Sequence, residues 1–324
     1  MKILIYSFND KLGDGLQKIS FIQNLKKEFP NSSITYTTSQ TTTLKTILNP
    51  LILNCIDKFI ENNQIKSSFF NFFQKNQNFS GLKFDLIIDL QKVVSRTLNL
   101  KKIKHNYFFS AAGNFMFSDY KNIFKLKFKD VYIEQFYFNI LSTIQKKIIK
   151  DIPNMEIPFY RNAQLLKKEK KIRIGIAPGA GNIIREWGIS NYLAIAKILR
   201  DKGYDIYFFL GPQEKDYLIE CKKNNFKCPE WDNENNFIAK DIIYTMSLAK
   251  SMNCLLCNDS GTAWIFEFAG IKTFKIFGVT NERKFSRPNY STTLQIKDYG
   301  FENLKLFPIS KYEKILYKFL DSLN

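Results

Sequence analysis

The chain has 324 residues and a hydrophobic share of 45%, enough for two buried cores, and no apolar run reaches 18 residues, which excludes a transmembrane helix. Five cysteines, an odd number, offer no disulfide framework. The net charge is +18, with 22 Lys and Arg against 10 Asp and Glu in the first 150 residues and 26 against 20 in the remainder, so the basic excess sits early and suits an anionic partner or simply solvated faces.

Residues 2–8, KILIYSF, predict a strand. The chain enters it at once and soon reaches polar Asn9, Asp10 and Lys11. That is not a signal-peptide pattern, so a cytoplasmic protein is expected. Leu16, Ile19, Ile22, Leu25 and Phe29 then recur at helical spacing. Residues 32–38 and 84–90 predict further strands, the latter nearly continuous in apolar residues, as buried parallel strands are. The span 106–128 is aromatic-rich without a clear period; a core and acceptor-side loop is expected there, with lipid contact as the alternative. A long helix is predicted over 130–148. Residues 149–170 read as a linker, with two prolines followed by KKEKK. A second alternating set follows, with strands at 172–178, 204–211, 253–259 and 272–278. Helices are predicted at 190–202, 213–225, 241–251 and 261–269, and a final one at 311–323. Two successive βαβ sets predict an α/β protein of two doubly wound domains, 1–160 and 161–324, facing a central cleft. The final helix is a candidate to pack back on the first domain.

Two turns in the second half have the chemistry of anion sites. In APGAGNIIREW, 177–187, Gly179 and Gly181 allow backbone N–H groups to approach an oxyanion, and Arg185 adds a cation. The stretch is not a P-loop, because no Gly-Lys-Ser/Thr ends it. In NDSGTAWIFEFAG, 258–270, a strand stops at Asn258 and Asp259, and Ser260, Gly261 and Thr262 start a helix whose N-terminus attracts anions. Asp259 is placed to cap that helix or to bond a sugar hydroxyl. Each turn alone is equally an ordinary structural loop; together they point to a diphosphate pocket. The loop after the first strand, NDKLGDGLQ, instead puts Asp14 between Gly13 and Gly15. A carboxylate there suits a general base, with the flanking glycines letting substrate approach; a helix cap is the plain alternative. Asp10, earlier in the loop, is the less favoured candidate. Cys254 and Cys257 form a CxxC inside an apolar run and are read as strand residues, not as a metal site. The single histidine, His105, is read as structural.

Four stretches, KILIYSFNDKLGDGLQKISFIQNLKKEFP, FDLIIDLQ, IGIAPGAGNIIREWGISNYLAIAKIL and CNDSGTAWIFEFAGIKTFKIFG, together resemble glycosyltransferase family nine, the heptosyltransferases of lipopolysaccharide core synthesis. The resemblance implies a GT-B fold of two Rossmann-like domains and inverting, metal-independent transfer from a nucleotide-sugar, typically ADP-heptose, to a glycolipid acceptor. It places the presumed base on Asp14 and the diphosphate turn on Asp259, Ser260, Gly261 and Thr262. It puts Arg185 where the family usually has lysine, Trp264 where it often has histidine, and Lys92 where it has glycine. No metal or other cofactor is expected. The expected partners are an ADP-linked sugar donor, an anionic glycolipid and, peripherally, an anionic membrane surface. The basic residues are dispersed and form no nucleic-acid motif, so no nucleic acid is expected. The rival readings are a transferase of the same fold using another nucleotide-sugar, and a non-catalytic nucleotide- or carbohydrate-binding protein.

Overall fold

The computed structural model describes residues 1–63, 65, 77–157, 171–231 and 241–323. The chain divides into two compact units, Met1–Glu156 and Ile157–Asn324. Part of the expected linker, 158–170, lies outside the described residues. Its first stretch is bound to the first unit, where the Glu156 N–H donates to Gln23 Oε1 and the Gln23 amide donates to the Glu156 carbonyl, both at 2.8 Å.

The first unit contains β1 (Lys2–Ser7), α1 (Leu12–Glu28), β2 (Ser33–Thr38), β3 (Lys58–Ile60), β4 (Lys83–Asp89), α2 (Val94–Leu100), β5 (Lys104–Ser110) and α3 (Ile133–Gln145). Its five strands are parallel, in the order β3-β2-β1-β4-β5. Five of the six β1 residues are buried, as in a central parallel strand packed on both faces, and α1 packs against α3. The aromatic span splits into β5 and a loop whose rings Phe115 and Phe128 pack on Phe109 and Phe136. Tyr107, Met116 and Ile123 stay exposed. This loop also folds back along the open side of β5. There the Asp119 N–H donates to the Phe108 carbonyl at 2.9 Å, and the Asp119 carboxylate accepts the Phe108 N–H at 2.7 Å.

The second unit contains β6 (Arg173–Ala177), α4 (Ile189–Asp201), β7 (Asp205–Phe208), α5 (Lys215–Lys223), α6 (Ile242–Ala249), β8 (Cys254–Asn258), α7 (Gly261–Phe268), β9 (Lys272–Phe277), α8 (Glu282–Phe285), β10 (Ser291–Gln295) and α9 (Ile309–Asp321). Its sheet is parallel in the order β10-β9-β8-β6-β7. β7 is shorter than its sequence predicts. The N–H groups of Leu210 and Gly211 donate instead to the carboxylates of Glu230 and Glu214, which takes them out of the ladder. In the final helix, Tyr312, Leu316, Phe319 and Leu320 of α9 belong to the core of the second unit, with Trp187, Tyr192 and Phe274.

Both sheets have the doubly wound arrangement of the GT-B fold. In each, the strand order reverses once, between β1 and β4 in the first and between β6 and β8 in the second. Ligands of such sheets bind beyond the carboxyl ends of the strands at these reversals. Among the described residues, no helix is long and apolar enough to cross a membrane.

Candidate functional site

The two candidate anion turns follow β6 and β8, the strands that flank the reversal in the second sheet. These strands run side by side with Ala177 opposite Cys257, so both turns leave the sheet at the same end. Asn258 ties them together. Its amide donates to the Pro178 carbonyl at 2.6 Å, and its carbonyl oxygen accepts the Trp187 N–H at 3.1 Å and the Tyr192 hydroxyl at 3.0 Å. Trp187 is fully buried, donates its indole N–H to the Phe307 carbonyl and stacks on Tyr312 at 4.2 Å. With that anchor two residues on, Arg185 stands at the surface, its side chain 42% exposed. Its guanidinium lies 3.4 Å from the carboxylate of Asp259, which is 7% exposed.

Ser260 caps α7, its hydroxyl accepting the Ala263 N–H at 3.4 Å. The capping role considered for Asp259 therefore falls to Ser260, and Asp259 pairs with Arg185 instead. Gly261 and Thr262 form the first turn of α7, half-buried.

The first turn departs from its expectation at Gly179. A Cβ at this position would overlap the Glu214 carboxylate, so the close approach that glycine permits is made by a side chain of the protein itself. The neighbouring Ala180 N–H donates to Glu186 at 3.0 Å. Gly181 faces open space. Burial pushes the Glu214 carboxyl up to about 7, against the Gly211 N–H it accepts. Burial likewise pushes Glu230 up to about 8, although Thr245 and Leu210 both donate to it. Perturbed carboxyls at strand ends mark functional regions more often than chance. Sequence reading passed over both, because each lies in a polar stretch with no motif.

In the first unit, Asp14 is not in a loop. It is the third residue of α1, exposed, where a carboxylate is favoured by the helix dipole. Lys11 is the N-cap and makes no side-chain cap bond, so Asp14 does not cap the helix. The space beside Gly15 is taken by the protein's own side chains. The glycine is buried, and a Cβ there would meet Leu48 Cδ1 at 2.5 Å and Thr43 Oγ1 at 2.6 Å. Gly13 beside it is half-buried. Asp10 is almost wholly buried and takes donors from Ser7, Lys18, Tyr36 and Thr42 at 2.6–2.9 Å. Burial opposes its charge, but Lys18 beside it and the hydroxyl donors outweigh this and hold its carboxyl below the usual carboxylate range. At the end of β4, Asp89 is fully buried. Burial pushes it up to about 6, against donors from Thr97, Gln91 and Ser110.

The model of Glycosyltransferase family 9 (heptosyltransferase) matches residues 72–314, well over half the chain. The chain belongs to glycosyltransferase family 9. No curated protein matches it by sequence. A family 9 glycosyl transferase from Veillonella parvula is 17% identical with a TM-score of 0.67, the match covering 99% of this chain and 97% of that one. ADP-heptose lps heptosyltransferase II of E. coli is 15% identical with a TM-score of 0.62, over 100% and 98%. Heptosyltransferase WaaC of E. coli, solved with ADP-2-deoxy-2-fluoro heptose, is 10% identical with a TM-score of 0.62, over 98% and 99%. At these identities the likeness is one of fold.

Two departures from the family pattern have structural places in this family 9 chain. Trp264 is buried in α7 with Lys275 Nζ 4.8 Å from its ring, and Lys275 in turn is paired with Glu267 at 2.8 Å, both fully buried. Lys92 lies over the Phe136 ring at 4.3 Å and donates to the Phe128 carbonyl. Cys254 and Cys257 are buried in β8, and their odd spacing along a strand sends them to opposite faces of the sheet. His105 lies in β5 with Nδ1 2.6 Å from the Ile103 carbonyl.

Proposed function

We propose that this family 9 glycosyltransferase transfers a heptose from an ADP-linked donor to an anionic, lipopolysaccharide-type glycolipid, with inversion and without a metal ion. The observation that carries the reading is the meeting of Arg185, Asp259 and the N-terminus of α7 at the reversal of the second sheet. That set combines a cation, a fixed dipole and free N–H groups at one place, which is what a leaving diphosphate requires. Arg185 and the first turn of α7 would supply the charge compensation that a divalent cation supplies in other transferases. Asp259, held by Arg185, is placed to orient a donor hydroxyl.

In this reading Asp14 takes the proton from the acceptor hydroxyl as it attacks the anomeric carbon. The bond to the diphosphate breaks as the new glycosidic bond forms, and the proton ends on Asp14. Support for the donor comes from the E. coli enzymes of like fold, one of which is solved with an ADP-heptose analogue and also with ADP. The basic first half suits an acceptor bearing phosphates and acidic sugars, presented at the cytoplasmic face of an anionic membrane.

Thermal shift with ADP, UDP, GDP and CMP, followed by turnover of the matching nucleotide-sugar with and without EDTA, tests the reading. ADP should stabilise most, and EDTA should leave turnover unchanged. A larger shift with UDP or GDP would redirect the donor, and nucleotide binding without turnover of any donor would make the protein a binder.

A further inference from the structure

Beneath the first turn of α1 lies an ion pair that the proposed chemistry does not use. Lys18 Nζ is 2.6 Å from Asp10 Oδ1, with side-chain exposures of 4% and 0%. Burying two charges seldom stabilises a fold more than apolar residues of the same volume would, so stability alone is a weak reason for the pair. The surroundings hold it rigidly. Ser7 at the end of β1, Tyr36 in β2 and Thr42 all donate to the Asp10 carboxylate. The Asp10 N–H donates to the Thr41 carbonyl and its carbonyl accepts the Thr43 N–H, so backbone and side chain are clamped together.

From this anchor the Lys18 ammonium reaches back one turn and donates to the backbone carbonyl of Asp14 at 3.0 Å. In an α-helix that carbonyl also accepts the N–H of residue 18. Residue 18 therefore grips the backbone of residue 14 twice. Besides Asp10 and Asp14, the titratable groups facing Lys18 are Tyr36 from β2 and Tyr137 from α3, whose ring centroid is 5.7 Å away.

We propose that the Asp10–Lys18 pair is a positioning device for Asp14, fixing the first turn of α1 on which the base stands. The proposal rests on the reading of Asp14 as general base. It assigns Lys18 no contact with substrate.

The test is the double variant Asp10→Asn/Lys18→Met, which removes both charges and leaves neither ion unpaired. With ADP-heptose and a deacylated lipopolysaccharide core as substrates, kcat should fall about a hundred-fold, the cost of a misplaced catalytic group. The donor KM and the affinity for ADP should stay unchanged. A parental kcat, or a loss shared equally between kcat and the donor KM, would reduce the pair to a structural feature and overturn the proposal. Should the double variant not fold, Lys18→Arg keeps the charge but cannot place one nitrogen on both Asp10 Oδ1 and the Asp14 carbonyl. It should lower kcat at constant donor KM, and parental kcat in that variant would equally overturn the proposal. Parental turnover by Asp14→Asn would instead remove the base itself, which separates the failure of that reading from the failure of this one.

Discussion

Arg185 reaches Asp259 across two strand-end turns 74 residues apart, and it does so with its side chain still 42% exposed. An ion pair so open to solvent contributes at most about 1 kcal/mol to folding. Arg185→Ala should therefore melt within a few degrees of the parent. Its affinity for ADP should fall roughly ten- to a hundred-fold, the worth of a charge-assisted hydrogen bond to phosphate. Titration calorimetry checks this; parental affinity would take Arg185 out of the donor site.

Asp14 is exposed at the start of α1, so its substitution has little to disturb in the core. Asp14→Asn should keep the parental melting temperature and lose about 100- to 10,000-fold in turnover, the usual contribution of a general base. ADP release under saturating donor and acceptor is the measurement.

Gly15→Ala separates packing from substrate access. The new methyl meets Leu48 Cδ1 and Thr43 Oγ1 at distances no pair of atoms tolerates, so both side chains must shift. The expected cost is about 1–3 kcal/mol of stability, read by chemical denaturation. If stability held and only the acceptor KM rose, the glycine would serve access after all. Gly179→Ala makes the same test in the second unit, where the methyl must evict the Glu214 carboxylate.

The raised carboxyls of Glu214 and Glu230 set a pH dependence. Burial favours their neutral forms in the folded chain, to about 7 and about 8. Their ordinary value is 4.5, so the stabilising protonation is complete below that pH and is lost as pH rises through 7 and 8. The second unit should therefore melt lower at pH 8.5 than at pH 5.5, by roughly 5 °C. Glu230→Gln should flatten that slope. A melting temperature that rises over the same interval in the parent would contradict the assignment. Asp10, held low, acts in the opposite sense and only in acid, where its protonation removes its pairing with Lys18.

Much of this architecture was legible in the sequence because the central strands announce themselves. KILIYS, LIID, RIGIA and CLLCN are buried on both faces and read as unbroken apolar runs ended by polar turns. The strands that escaped notice, β3, β5 and β10, all lie at sheet edges, where one side is unpaired and the composition is mixed: KFI, KHNYFFS and STTLQ. The short α2 escaped for want of length. The turns carrying Arg185 and Asp259 could be placed from strand ends and helix starts. The cluster around Asp10 and Lys18 could not be assembled from sequence, since Tyr36 and Thr42 join it from 26 and 32 residues beyond Asp10. One signal was present: Lys18 stands four residues before Ile22 and seven before Leu25, within the apolar stripe of α1. Glu214 and Glu230 left no such trace.

The fold-back of Asp119 onto Phe108 has a bearing on how the chain behaves in company. An uncovered outer strand offers a row of amides and carbonyls on which another polypeptide can grow a cross-chain ladder. Here one side chain and its own backbone N–H occupy both groups of Phe108, in a segment crowded with phenylalanine. Asp119 thus withholds that point of the outer strand from pairing with another polypeptide, in a chain with 31 phenylalanines.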